Sequence, residues 1–234
     1  GSSICSAAFP ICEGMESRMS DRRAMILETA RRLFGERGYN GVSMRDIAGE
    51  LGCSVGNVTY YFKKKEELME ACVLEQSQNY HLPPTPANLI QLNQLFLYIC
   101  GEIQGKIYYF YHYTQMAQIS RRIEELQRAY TRDLYLTLKG AFDNLRETGD
   151  MEKEAYAGET EYFVQSLMTA MTYWAPHNAV LEKKQENGGK DFLLCMWSLI
   201  APRLTEKGEA VLNGRILKKW LGKEKREQKE NLNV

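Results

Sequence analysis

Apolar residues recur along this chain with the period of a helix and almost nowhere with that of a strand. Within residues 21–37, Ile26, Ala30, Leu33 and Phe34 fall at i, i+4, i+7 and i+8, one stripe of an amphipathic helix. Gly38 follows where a left-handed C-terminal residue is wanted, so the first helix is expected to end at Arg37. Ser43 then precedes Met44, Ile47, Ala48 and Leu51 at helical spacing, and Asp46 stands three residues after it as a shortened capping box. Gly52 ends that brief element. Ser54 caps a third helix with Val58, Tyr61 and Phe62 inward, and a fourth starts near Lys63 with Leu68, Ala71 and Cys72 inward.

The stretch HLPPTPA at residues 81–87 is the clearest boundary, because its three prolines remove backbone donors and disfavour helix around them. Beyond it Leu92, Phe96, Ile99 and Ile103 mark a helix face. Leu126, Tyr130, Leu134, Leu138, Ala141 and Leu145 mark a longer one, closed by Gly149. Residues 161–174 and 191–204 read as two more apolar-faced helices separated by the polar break QENGGK, and a last helix spans about 209–221. The predicted fold class is all-α. Residues 1–19 read as a tag remnant or flexible N-terminal extension and 223–234 as a flexible charged tail, leaving folded segments at 20–80 and 81–222.

Composition narrows function by exclusion. Thirty basic residues balance thirty acidic ones in 234, so any polyanion-binding surface must come from local arrangement. The six cysteines are dispersed, with neither CxxC pairs nor clustered histidines, which disfavours a disulfide framework or a zinc site and fits a reducing cytoplasm. No apolar run approaches the roughly 18–20 residues of a membrane span. His81, His112 and His177 lie far apart, and no HExxH, GxSxG or Gly-rich phosphate loop occurs, so neither an enzyme nor a cofactor or metal is expected.

The informative stretch is LGCSVGNVTYYFKKKEEL at residues 51–68. Three short helices, with two stripes meeting at a Gly-containing turn, form a helix-turn-helix unit, and its residues suit DNA. The hydroxyls of Ser43 and Ser54, with the free N–H groups of both helix starts, can hold phosphate oxygens. Gly56 admits close backbone approach, while Val55 and Asn57 project from the first turn, where Asn can pair with adenine and Val can meet a thymine methyl. Tyr60 offers a hydroxyl to phosphate. Lys63, Lys64 and Lys65 crowd the positive end of a helix dipole, an arrangement that an anion would relieve. The residues alone also allow a tight αα corner with Tyr61 and Phe62 in its core and lysines on a solvated face.

The longer run GYNGVSMRDIAGELGCSVGNVTYYFKKKEEL resembles the signature of the TetR family of bacterial transcriptional repressors. It matches in Gly41 ahead of the capping Ser43, the Ile47–Ala48 pair, Gly52, Ser54, Gly56, Tyr61–Phe62, Lys65 and Leu68, over about residues 20–70. The resemblance implies that Ser43, Arg45, Ser54, Tyr60 and Lys65 contact phosphates and that Val55, Gly56 and Asn57 face bases. One departure is Thr59, where the family usually carries a tyrosine, so a phosphate contact is shortened or lost. It further implies a helix-turn-helix DNA-binding domain at 20–80 and a larger helical ligand-binding and dimerisation domain at 81–222. A homodimer through helices near 161–174 and 191–204, the latter bearing Phe192, Leu193, Met196, Trp197 and Ile200, would read a roughly palindromic operator.

In the second domain KIYYFYHYTQM, residues 106–116, reads as a helix aromatic on every face. Phe96, Tyr109, Tyr113, Met116, Tyr130, Met168 and Trp174 are the candidate lining for a small hydrophobic or aromatic effector, although each singly also suits plain core packing. The expected function is a cytoplasmic repressor released from its operator by such an effector. The alternative is a DNA-binding regulator controlled by a protein partner or by oxidation of a thiol such as Cys53.

Overall fold

The computed structural model describes residues 11–78, 80–181 and 188–219. The expected tail at 223–234, the first part of the expected N-terminal extension and the first half of the QENGGK break lie outside these residues. The described chain is helical, with one isolated antiparallel bridge between Met151 and Leu204. It divides into two compact units, one holding the chain up to residue 79 together with Thr114–Ile123, the other holding Tyr80–Tyr113 and the chain from Glu124 onward.

In the first unit α1 spans Ile11–Arg37, α2 Met44–Glu50, α3 Val55–Tyr61 and α4 Lys65–Ser77. Helix α1 starts well before residue 21, since the residues after Pro10 include the strong helix formers Glu13, Met15, Glu16 and Arg18 and no further proline. It ends as expected, with Gly38 at φ 74 and its N–H on Phe34 O at 3.0 Å. The predicted stripe of Ile26, Ala30, Leu33 and Phe34 is fully buried and packs along α4, which contributes Leu68, Met69, Cys72 and Val73. Ala71 is only half-buried. Polar ties run along this seam: Arg23 and Arg31 both reach Glu75, and Arg31 also donates to Cys72 O at 3.3 Å. Burial pushes the Cys72 thiol up to about 12, so it serves as a small apolar core residue.

The second unit is built on α5 (Leu89–Gly105), α6 (Ile107–Tyr111), α8 (Arg121–Glu147), α9 (Glu159–Val180), α10 (Gly188–Ile200) and α11 (Glu206–Val211); α7 (Tyr113–Ile119) falls mostly within the segment assigned to the first unit. The proline linker is fastened rather than loose. Pro86 O accepts the Asn144 amide at 3.0 Å, and Asn88 caps α5 by accepting from Gln91 N at 3.0 Å. The core joins the predicted stripe of α5 and Leu134, Leu138, Ala141 and Leu145 of α8 to Phe163, Val164, Leu167 and Met171 of α9 and to Phe192, Met196, Trp197 and Ile200 of α10, with Tyr130 packed against it and Leu126 half-buried outside it. Edge-on ring pairs knit it together, Phe96 with Trp197 at 5.8 Å and Trp174 with Phe192 at 5.6 Å.

Several expectations are corrected. The aromatic run 106–116 is not one helix: the chain leaves helical geometry at Lys106 (φ −127, ψ 36) and again at His112 (φ −120, ψ 22). Rings on every side of a straight helix could not all be covered, and the breaks let Tyr108 and Phe110 turn inward. Helix α9 runs through Pro176 to Val180, beyond residue 174, because a proline near the end removes only one ladder donor while Met171, Ala175 and Asn178 stay buried around it. Helix α10 stops at Ile200, where Pro202 opens a 3-10 turn, and α11 starts early at Glu206 because Thr205 caps it through Gly208 N. The five α10 residues named for a dimer face, Phe192, Leu193, Met196, Trp197 and Ile200, are buried within the unit itself, so they face no partner.

Trp197 is enclosed, and its indole N–H donates to Asn93 Oδ1 at 2.9 Å. Asn93→Ala is expected to lower the unfolding free energy by about 1–3 kcal/mol in urea titrations, the cost of stranding a buried donor. No measurable change would mean that water takes the amide's place.

Candidate nucleic-acid interface

The two helices of the candidate helix-turn-helix are seven residues each, and their ends are set by side chains. Ser43 Oγ accepts from Asp46 N at 3.2 Å while Ser43 N donates to Asp46 Oδ2 at 2.7 Å, so the shortened capping box is complete. These hydrogen bonds from Ser43 hold the Asp46 carboxyl below its ordinary range. The Ser43 hydroxyl also donates to Asp46, so on this exposed turn it is committed to the cap before any phosphate arrives. Ser54 Oγ accepts from Asn57 N at 3.4 Å and keeps its own proton for an outside acceptor. Between the two helices Gly52 adopts φ 61, a conformation that a Cβ would strain, and Cys53 N returns to Ala48 O at 2.9 Å.

Burial sorts the rest of this surface. Ile47, Ala48, Val58 and Phe62 are buried, and the Arg23 guanidinium covers the Phe62 ring at 5.2 Å. Tyr61, expected inward, is half-buried and meets Tyr60 edge-on at 5.1 Å. Arg45, Gly56 and Asn57 are exposed, Val55 is half-exposed, and Tyr60 is 63% exposed with its hydroxyl free to reach outward. Thr59 donates back to Val55 O at 3.1 Å and to Gly56 O at 3.3 Å, so it closes on its own helix and offers nothing to a phosphate. Lys63 and Lys64 are exposed. The dipole conflict expected at α4 is eased by Glu66 and Glu67 in its first turn, Glu67 accepting from Lys63 N at 2.9 Å.

Lys65 differs from its neighbours in a way that sequence reasoning missed. Its ammonium donates to Tyr39 O at 2.9 Å and Val42 O at 3.0 Å and lies 4.1 Å from the Tyr39 ring centroid. It thereby ties the start of α4 to the loop that delivers Ser43. Burial, with Glu66 alongside, pushes the Tyr39 phenol up to about 12, so the ring stays neutral beneath the cation. The only sequence signal was Tyr39 itself, present in the quoted run without an assigned role.

The candidate effector residues are less unified. Phe96 is fully buried against Trp197, Trp174 is half-buried against Phe192, and Met168 is half-buried beside the core. Tyr109 and Tyr113 meet edge-on at 5.7 Å, Gln127 donates to Tyr113 O at 2.9 Å, and Tyr130 lies 4.8 Å from Tyr80. Met116 is buried and belongs to the segment grouped with the first unit. Among the described residues no group of three metal-ligating side chains occurs, and no helix is long and apolar enough to cross a membrane.

Comparison with known proteins bears on both units. Residues 26–72 match the family described as bacterial regulatory proteins of the tetR family, and residues 74–212 match one described as a bacterial transcriptional repressor. The chain belongs to the TetR family. This TetR-family chain is therefore a DNA-binding transcriptional regulator and not an enzyme. It is 26% identical over 158 residues to the probable HTH-type transcriptional regulator YttP of Bacillus subtilis, covering 64% of this chain and 76% of that one. It is 39% identical over 69 residues to the HTH-type transcriptional repressor AcnR of Corynebacterium diphtheriae, but this spans only 30% of this chain and 35% of AcnR. A TetR-family regulator from Marinobacter aquaeolei shares the fold, with a TM-score of 0.68 at 20% identity over 82% of this chain and 96% of its own.

Lys65→Met is expected to weaken operator and random duplexes alike and to lower the melting temperature, because the Ser43 loop loses its tie. The slope of log affinity against log salt separates the possible roles. A strut leaves the slope unchanged, whereas a direct phosphate contact removes about 0.9 from it.

Proposed function

We propose that this regulator is a homodimeric repressor whose α3 lies in the major groove and whose C-terminal unit takes a small effector that releases it from DNA. The observation that carries the DNA-facing part is the outward surface of the α3 start. Ser54, Gly56 and Asn57 are all exposed there, on a helix whose other face is anchored by Val58. On this reading Ser54, Arg45 and Tyr60 hold phosphates, Asn57 and Val55 read base edges, and Gly56 allows the approach. Ser43 and Lys65 shape the surface more than they touch the duplex. Such a protein works in the cytoplasm, where its DNA is.

A dimer supports this reading by doubling a short contact, since seven residues read too few bases for useful specificity. The outward side of α9 is the proposed face, carrying Tyr162 at 65% exposure, Tyr173 at 47% and Val180 at 83%. Effector control draws on the tyrosine-rich interior of the same unit, where polar phenols are enclosed among apolar rings. Oxidation control is the second reading: Cys53 is half-exposed on the helix-turn-helix turn, whereas Cys72 and Cys100 are buried.

Fluorescence anisotropy with the upstream duplex of its own gene, against random duplex, tests the assignment. Asn57→Ala should lose about 1–3 kcal/mol on the preferred sequence and little on random DNA. Equal losses on both would remove Asn57 from base reading. Peroxide should leave wild type and Cys53→Ser alike; a loss confined to wild type would favour oxidation control.

A further inference from the structure

In the C-terminal unit Tyr80, Tyr98 and Tyr130 form one cluster, the Tyr80 ring lying 4.8 Å from that of Tyr130 and 6.0 Å from that of Tyr98. Tyr80 Oη is shut away from water beside the Tyr130 phenol without a well-formed hydrogen bond. Into this cluster reaches a cation. The Lys106 ammonium lies 5.3 Å from the Tyr80 ring centroid and 2.6 Å from Glu102 Oε2. Ring faces carry negative potential, and a carboxylate behind them completes a setting that holds an ammonium strongly once water is reduced. Here the ammonium is the protein's own.

The approach to the cluster has the same electrostatic character. A groove of about 390 Å³ opens beside Tyr80, walled by linker residues from His81 to Thr85 and by Asp133 and Thr137 of α8. No lysine or arginine lines it; Asp133 places a carboxylate at its wall, with the neighbouring Arg132 Nε 3.4 Å from that carboxylate. An anion would meet the Asp133 carboxylate at this wall and, in the cluster, Glu102 beside Lys106. A neutral aromatic would have to leave the Lys106–Glu102 pair in place or separate it without compensation.

We propose that the Tyr80–Tyr98–Tyr130–Glu102 cluster is a binding site for an organic cation, with Lys106 as an internal stand-in that the ligand's ammonium displaces. The inference rests on the effector reading given above and names its chemical class. Lys106 is the residue at which α5 ends and α6 begins, and its carbonyl accepts from Tyr109 N at 2.9 Å and Phe110 N at 3.2 Å. Displacing it therefore disturbs the start of α6. In sequence α6 leads through Tyr113 into Thr114–Ile123, the segment that belongs to the helix-turn-helix unit.

Calorimetric titration of the full chain with choline and phenyltrimethylammonium, against the neutral isostere 3,3-dimethylbutan-1-ol, tests the site. Both cations should bind and the alcohol should not. Lys106→Met should bind the cations about tenfold tighter, Lys106→Arg should stay close to wild type, and Glu102→Gln should lose about tenfold. Should Lys106→Met fail to fold, Glu102→Gln with the alcohol control decides. Equal binding of alcohol and choline, or no binding of cations by either wild type or Lys106→Met, overturns the proposal. Cations that bind but leave the upstream duplex complexed uphold the site and end the effector reading. A neutral compound that releases the duplex while cations fail to bind does the reverse.

Discussion

A seven-residue helix cannot hold its own shape in water, because nucleation costs more than two turns of hydrogen bonds return. Both helices of the DNA-facing corner are of this length, so their geometry comes from what surrounds them. Each has a serine cap contributing about 1 kcal/mol, and each is pinned from beneath by apolar residues, Ile47 and Ala48 for α2, Val58 for α3. The tie from Lys65 to Tyr39 O and Val42 O then sets where α2 begins. A compact ammonium suits two carbonyls better than a planar guanidinium would, since its donors rotate to meet oxygens off any common plane. Removing that tie takes away the support of the loop that delivers Ser43 to the start of α2.

Local rules made this half of the chain legible from sequence. The Gly38 stop, the Ser43–Asp46 box and the Ser54 cap depend on residues at most four apart, and each stands where spacing placed it. The stripe of α1 was readable for the same reason. What sequence could not show was which partner a charge finds. Three adjacent lysines look equivalent in a row of letters, yet Lys63 and Lys64 are exposed while Lys65 is drawn inward by carbonyls more than twenty residues earlier. Thr59 stands where the family usually carries a tyrosine, and its turn back onto Val55 O follows from ordinary threonine behaviour in a helix.

The C-terminal unit was legible by element and less so by site. Leucines and isoleucines at helical spacing mark α5 and α8, most of them buried, although Leu97 and Leu136 are exposed. Tyrosines are different. A ring with a polar tip is at home in a core, at a groove or at an interface, so KIYYFYHYTQM carries no period and hides its two breaks. The same ambiguity spread the candidate effector residues over the whole unit. Distances reassign them, putting Phe96 and Trp174 into ring pairs of the core and leaving Tyr130 with Tyr80 beside the groove.

Length of element also separates what can move from what cannot. Helices α5, α8 and α9, at 17, 27 and 22 residues, bury long stripes and resist local change, whereas α6 and α7 have five and seven residues with a non-helical residue at each junction. Few internal hydrogen bonds and broken ends make such pieces the inexpensive ones to rearrange. The short helices of the corner belong to the same class, but there the caps and the Lys65 tie compensate. Lys106 stands at the α5–α6 junction with its backbone outside both helices and its ammonium held only by a carboxylate and a ring. A ligand acting at that point meets a short element with few internal hydrogen bonds, held in place by the burial of Tyr108 and Phe110.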